Sequence, residues 1–591
     1  MVYESSYDSG RRPFKPDLTR GYWAAPSDFI YTCISLGFRM DVVWMGLTGA
    51  IITYILCMFL FVVPIIVIQS FMGQFSSSGF ISTFRMSPIF KGLGYISLFV
   101  NLAVLSYYSL FAAVPLLYLF HSLRPTLPWS CEGIEKWFPN STEAEVKHSC
   151  KMLDVVDIKA GMMSNTHIRY EVPSVLFFQS VFDVSYEYKS PFLFSWELLV
   201  CTLLSWAIVA GVFYRFYNTE LMSKFLRYTI WTSLILLLIC VGRFMLLPND
   251  WSYIFSYFMA KPVDIVRGIP STVLIIVSAF GPGWGSIIAL ASFNRFRANI
   301  MHYSWIICLG QMGIFLAYAI ITQIIQGYFK SLTTQYAHVE GLYVEVNDHY
   351  APYLTSGSVI ATMSWPNLWS IIFYAMLTLT ALITMITCLF SIYQSIFDEF
   401  EMLRSRKTEV TLGLIGVLAF LSLYTCSNHG ALFFSAMSMD SLFTQTALNL
   451  LLLLVVLWVY GRVRFQRDIE FMLGQRFATW KVNMLRFVAP ICLCLLLLVA
   501  ILASFVRHSN SSIVILIAAV FLIVLPWLYL PGYMIYVFLQ TTGSFKMRFQ
   551  RCSRPMDWYP VEMEERQRYE EAMGNMEITH QLNQITDEVV P

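Results

Sequence analysis

The stretch VSAFGPGWGSIIALASFNRF, residues 277–296, lies in an apolar segment long enough to cross a bilayer, yet it is a poor continuous helix. Gly281, Pro282, Gly283 and Gly285 fall together at its centre. Proline removes a backbone donor and glycine favours unwinding. Backbone left unpaired at membrane depth is tolerated only where it is buried in protein or lines a cavity. A simple proline kink is the plainer alternative, but a Gly-Pro-Gly-Trp-Gly cluster is more than a kink needs.

The first apolar segment, DFIYTCISLGFRMDVVWMGL at 28–47, breaks the pattern differently, because it carries Arg39 and Asp41 in mid-membrane. Ionisable groups there are costly and either mark a functional site or neutralise each other. If the helix unwinds at this point, both side chains can turn into one cavity. Without unwinding, the pair only shapes the bundle.

Around these two segments the chain reads as a polytopic all-α membrane protein. It has 591 residues, of which 57% are hydrophobic and 13% charged, with a mean hydropathy of +0.61. A soluble chain carries roughly 25% charged residues, so half that share cannot coat a water-soluble surface. A span needs about 20 mostly apolar residues. Candidate spans begin near Phe29, Ala50, Leu93, Phe192, Phe225, Ile269, Ile300, Leu368, Val410, Leu442, Phe487 and Ile513, which makes twelve. The polar opening MVYESSYDSGRRPFKPDLTR has no apolar core, so no cleavable signal peptide is expected and insertion rests on the first span.

Basic residues orient the spans. Arg11, Arg12, Lys15 and Arg20 precede the first, and Arg85 with Lys91, Arg295 with Arg297, and Arg404, Arg406 and Lys407 follow even-numbered spans. The positive-inside rule then places both termini in the cytoplasm. Sequons at Asn140 and Asn510 fall in loops assigned to the outside, which makes both residues candidate glycosylation sites. Cys131 and Cys150 share the Asn140 loop, an oxidising location where a disulfide is expected. Other cysteines, such as Cys57, Cys240 and Cys388, sit in apolar runs and read as small buried hydrophobes.

The domain reading is a cytoplasmic tail at 1–27, a transporter domain at 28–540 with long outer loops at 124–191 and 329–366, and a second cytoplasmic tail at 541–591. That last tail is acidic from about 555 and reads as either a short helix or a disordered stretch. Interrupted helices one and six stand five spans apart, the pattern of an inverted-repeat carrier of five plus five helices with ligands bound at the breaks.

At this point the chain resembles the sodium- and chloride-dependent neurotransmitter symporter family, which has the LeuT fold. The blocks that carry the resemblance run from Asp28 to Phe549. They are Asp28–Phe29 with Trp44, MGQFSSSGFISTFR at 72–85, FKGLGY at 90–95 and SYY at 106–108. LPW at 127–129, GPGWG with LASFNRF at 281–296, DEF at 398–400, YGRVRFQRDIEFMLG at 460–474 and GSFKMRF at 543–549 complete the series.

The resemblance implies secondary active transport of an amino acid, amine or osmolyte, driven by sodium and often accompanied by chloride. It places the substrate pocket at Leu36, Arg39, Tyr108, Ser278, Trp284 and Thr384. The sodium positions it implies are the backbone of Ser35, Gly37 and Phe38 together with Asp41, Gln311 and Thr384. They are degraded, because Val42 and Ile383 offer no side-chain oxygen where the family has ligands. Tyr54 matches a family chloride ligand, with Ser278 beside the aligned Ala279, but Phe315 replaces a serine. Sodium is therefore expected at a weakened site, and chloride coupling is in doubt. Arg39 stands where amine transporters of the family carry an aspartate. A guanidinium there would clamp a carboxylate or stand in for a bound cation.

Three readings follow: a sodium-coupled plasma-membrane symporter, a sodium-independent carrier with Arg39 as a tethered cation, and a non-transporting relative serving as receptor or partner subunit. No metalloprotease, Walker, nucleophile-elbow or dithiol motif supports an enzyme, and no filter motif supports a channel. The expected partners are a small-molecule substrate and the lipid bilayer. A homo-oligomer or a scaffold partner stays open, and the net charge of +2 gives no footing for nucleic acid.

Overall fold

The structure is a computed structural model. It describes residues 14–17, 20–38, 51–130, 194–216, 218–248, 285–336, 351–427, 444–508 and 524–574, with isolated positions between 132 and 181 and at 430. Among the described residues there is no strand, only isolated bridge positions such as Phe194 paired with Ser427. Arg39, Asp41, Ser278, Trp284, Cys131, Cys150, Asn140 and Asn510 lie outside them, as do most of the first long loop and residues 337–350 of the second.

Helix α1 is Pro26–Ser35. Proline suits the first helical position, where its missing donor costs nothing. Asp28 accepts from the Ala25 amide at 3.1 Å and sets its charge on the positive helix end. The α-helix stops at Ser35 and tightens into a 3-10 turn over Leu36–Phe38.

Next come α2 (Tyr54–Ser76), α3 (Gly92–Ser122), α4 (Trp196–Arg215) and α5 (Thr219–Met245). The short α6 (Ser286–Ala291) begins at Gly285, whose φ is +73°. That backbone is left-handed, so no right-handed helix passes through Gly285. A Cβ on Gly285 would also lie 2.5 Å from that of Phe80.

The remainder comprises α7 (Ile300–Tyr336), α8 (Pro366–Glu399), α9 (Lys407–Ser422), α10 (Thr444–Leu473), α11 (Ala489–His508) and α12 (Tyr529–Gln540). Eight helices among the described residues are long and apolar enough to cross a membrane: α2, α3, α4, α5, α7, α8, α10 and the segment Glu401–Cys426 that contains α9. This is a multi-pass all-helical architecture.

Burial sorts the helices. Over their most apolar stretch α3 and α8 are each 78% buried, whereas α5 is 28% and the α9 segment 33%. The α3–α8 pair, which shares the largest helix–helix interface, is thus the centre of the bundle, and α5 and α9 are its lipid-facing rim. Small residues let backbones meet: a Cβ on Gly73 of α2 would lie 2.0 Å from the Ile288 carbonyl oxygen of α6.

The acidic tail is helical over 563–574 and docks on the bundle. Trp558 is 1% exposed, stacks on Phe75 at 5.1 Å and donates its indole N–H to the Tyr460 hydroxyl at 3.0 Å. Arg297 grips Glu565 through two bonds of 2.8 Å and holds that carboxyl below the ordinary carboxylate range. Arg85 donates to the Asp557 carbonyl at 3.1 Å, with its guanidinium over the Phe14 ring. Burial pushes Arg85 down to about 10, which leaves it charged at neutral pH.

Replacing Trp558 with alanine empties a filled aromatic site and is expected to cost roughly 3–5 kcal/mol. The readout is a lower melting temperature of the detergent-purified protein; an unchanged one would mean that the tail is not docked.

Candidate functional site

The segment that leads into α1 seals one side of the bundle. Arg20 donates to the Ser77 carbonyl at 2.6 Å, pairs with Asp398 of α8 at 3.1 Å and donates to the hydroxyl of Ser292 just past α6. Its guanidinium lies 4.5 Å over the Phe293 ring. The Arg20 and Asp398 side chains are 5% and 2% exposed. Asp398 takes two further donors, the Gly79 amide at 2.7 Å and the Gln394 side chain at 2.6 Å. These donors offset the cost of burying the Asp398 carboxylate, while the Arg20 Nε is buried without a hydrogen-bond partner. Trp23 completes the seal by donating its indole N–H to the Leu290 carbonyl at 2.9 Å and packing against Phe293 and Phe390.

The far end of α1 lies ten residues from its start, ~15 Å of helix. Here the chain leaves α-geometry, and Leu36 and Phe38 are buried at 1% and 0% exposure. The turn is held from two sides. Gln311 of α7 donates its side-chain N–H to the Cys33 carbonyl at 2.7 Å, and its methylenes press on Gly37, where a Cβ would sit 3.2 Å away. The Gln311 side-chain oxygen is buried with no hydrogen-bond partner.

From α8, the Thr387 hydroxyl meets that of Ser35 at 3.1 Å, while Ser35 also bonds the Thr32 carbonyl at 2.7 Å. Ser35 has one proton, and giving it to Thr32 makes Thr387 the donor to Ser35. Thr384 bonds the Thr380 carbonyl at 3.1 Å, so its lone pairs remain for a ligand. Asp28 is held by Arg227, which ties α1 to α5.

Of the residues singled out in the sequence, Ser35, Leu36, Gly37 and Phe38 lie on one turn of α1, and Gln311 reaches that turn directly. Thr384 is one helical turn from Thr387, which also reaches it. Leu36, Phe38, Tyr54 and Tyr108 belong to one continuous buried cluster. Tyr54 is fully buried and stacked on Phe315, with ring centroids 4.7 Å apart. Tyr108 is 1% exposed and packs against Phe111 at 5.3 Å.

Sequence reading took Arg20 only as a topology marker, gave Ser292 and Asp398 no role beyond the blocks that carry the resemblance, and passed over Trp23 and Thr387. A polar residue in an apolar helix was the available signal for Thr387. The partner of Arg20 is 378 residues away, and nothing local announces it.

Neutralising Asp398 as asparagine would strand the Arg20 charge, a loss of roughly 3–5 kcal/mol for a broken buried pair. Cys33, fully buried and unpaired, reports the result. Maleimide labelling of Cys33, read by peptide mass spectrometry, should rise at least tenfold in the variant; equal labelling would mean that the pair does not seal this side.

Comparison with known proteins gives a consistent picture. A family model described as the sodium:neurotransmitter symporter family matches residues 20–541. The human sodium- and chloride-dependent neutral and basic amino acid transporter B(0+) is 24% identical, covering 95% of this chain and 93% of its own length. The human sodium- and chloride-dependent creatine transporter 1 is 23% identical over 91% of this chain and 86% of its own. The sodium- and chloride-dependent glycine transporter 1 of Xenopus laevis is 24% identical over 78% and 74%.

Proposed function

This chain belongs to the sodium:neurotransmitter symporter family, whose members are transporters rather than enzymes, and from that premise we propose that it is a plasma-membrane symporter of an amino acid, amine or related small solute. The proposed architecture is twelve transmembrane helices in a five-plus-five inverted repeat with helices 1 and 6 broken and both termini cytoplasmic. The observation that carries the reading is the turn at Leu36–Phe38, which leaves α-geometry inside the bundle at the opposite end of α1 from the segment that carries the buried Arg20–Asp398 pair. A carrier needs a site in mid-membrane and a closure that hides it from one side at a time.

In this reading Leu36, Arg39, Tyr108, Ser278, Trp284 and Thr384 face the substrate. Sodium meets the backbone oxygens of Ser35, Gly37 and Phe38 with Asp41, Gln311 and Thr384. The unpartnered Gln311 oxygen and the free lone pairs of Thr384 fit a hard cation, which takes oxygen ligands. The Tyr54–Phe315 stack places an apolar ring where a hydroxyl donor would serve chloride, so chloride dependence is proposed to be weak.

A second reading has its own observation. Thr387 on Ser35 and Gln311 on Cys33 already join α1 to α8 and α7 without an ion. With Arg39 as a tethered cation, the carrier would then run without sodium.

Radiolabelled uptake in oocytes, over a panel of amino acids, amines and osmolytes, separates these readings. The symporter reading expects saturable uptake that falls at least fivefold when choline replaces sodium and changes less than twofold when gluconate replaces chloride. Uptake indifferent to choline would transfer support to the second reading, and no uptake of any solute would reject both.

A further inference from the structure

Helix α13 (Phe545–Ser553) begins shortly after α12 ends at Gln540 and folds back against it. Near its end, the buried Cys552 thiol meets the Thr541 hydroxyl at 3.2 Å and lies 3.9 Å from the Val537 carbonyl oxygen. Cys552, Val537 and Ile89 form one small apolar cluster. At its start, Phe545 packs on Phe538 of α12 with ring centroids 5.1 Å apart. Both ends of α13 thus touch the last turns of α12. The helix lies level with the end of that apolar helix, which runs over Val524–Gln540, rather than hanging away from it.

Its outer surface combines two chemistries. Phe545 is 75% exposed and Phe549 55%, at the same level as the exposed Leu539 of α12. The apolar surface of α12 therefore continues onto α13. The stretch TTGSFKMRFQRCSRPM at 541–556 also carries Lys546, Arg548, Arg551 and Arg554 and no acidic residue. Arg548 and Arg551 donate to the Gly543 and Thr542 carbonyls at 2.7 and 3.3 Å, which orders the connection without neutralising either charge. Among the described residues no carboxylate pairs with Lys546, Arg548 or Arg554. Elsewhere on this side of the bundle the cations do find acids: Arg20 pairs with Asp398, Lys91 with Glu399, Arg297 with Glu565 and Lys407 with Asp17.

We propose that α13 lies in the membrane interface and binds anionic phospholipid headgroups, with Phe545 and Phe549 at the acyl boundary and Lys546 and Arg554 on the headgroup phosphates. The proposal rests on the reading of α12 as a membrane-crossing helix with a cytoplasmic end. A free anion would match the cations but leave the phenylalanines in water. A neutral bilayer would cover the phenylalanines but leave the cations unmatched. An anionic leaflet does both, and juxtamembrane cations gain affinity from its surface potential.

The test is photocrosslinking of the full chain in phosphatidylcholine vesicles that contain a photoactivatable phosphatidylserine, or the matching phosphatidylcholine, at equal mole fraction. Both leaflets then carry the probe, so the orientation of the chain does not affect the result. Labelling of the 545–554 peptide, read by mass spectrometry, should be at least threefold higher with the serine lipid. The exposed pair Lys546→Gln with Arg554→Gln should bring it down to the phosphatidylcholine level, and high salt should do the same. Labelling of the rim helix α5 should be alike with both lipids and unchanged in the variant. Equal labelling of 545–554 by both lipids overturns the proposal, as does a preference that survives in the variant. Loss of the preference to inorganic phosphate at constant ionic strength would mean a free-anion site and also overturns it. Each of these leaves the membrane reading standing. If the variant does not fold, the comparison of the two lipids on the unaltered chain decides. Absence of labelling by either lipid at α5 as well as at 545–554 would overturn both the proposal and the membrane placement beneath it.

Discussion

One guanidinium organises the closed side of this molecule. Arg20 stands before the first helix, yet its donors reach the end of α2, the end of α6 and the last turn of α8. Three segments distant in sequence are fixed to one charge, and that charge is hidden from water. Removing a cation from water is costly, and only Asp398 with its two extra donors makes the arrangement stable. The seal is therefore cooperative. Moving any one of the three segments leaves a buried ion partly unpaired, so the whole contact opens or none of it does.

The α1 turn uses the same logic with neutral groups. Gln311 and Thr387 take up polar atoms that a continuous helix would have satisfied or a hydroxyl would have left exposed. This division of labour suits an element that must move. Hydrogen bonds between neutral groups contribute about 1 kcal/mol net each, whereas a buried ion pair costs several kcal/mol to break. The strong tie lies at the Arg20–Asp398 pair and the weak ties lie at the turn proposed to meet the ligand.

The C-terminal segment adds a second layer over the same side. Trp558 and Tyr569 fill aromatic gaps beside Phe75, and Arg297 and Arg85 fix the ends of the tail to the loops after α6 and α2. Because Arg85 also holds Phe14, the tail and the segment that carries Arg20 share one support.

The sequence by itself determined the class of this protein. Low charge over a long chain requires a membrane. The glycine cluster ending at Gly285 forbids an unbroken helix, and the structure places a left-handed residue there. The ordered blocks from Asp28 to Phe549 identified the family, and the turn at 36–38 was legible as an expected place for ligand oxygens only through that resemblance. The partnerships were decided by the tertiary structure alone. Nothing in the sequence near Arg20 points to Asp398, and nothing near Gln311 shows that its side-chain oxygen lacks a partner. Periodicity and composition report how each segment meets its solvent, which is a local property. Which buried polar atom finds a mate depends on how distant helices pack, and no single segment carries that information.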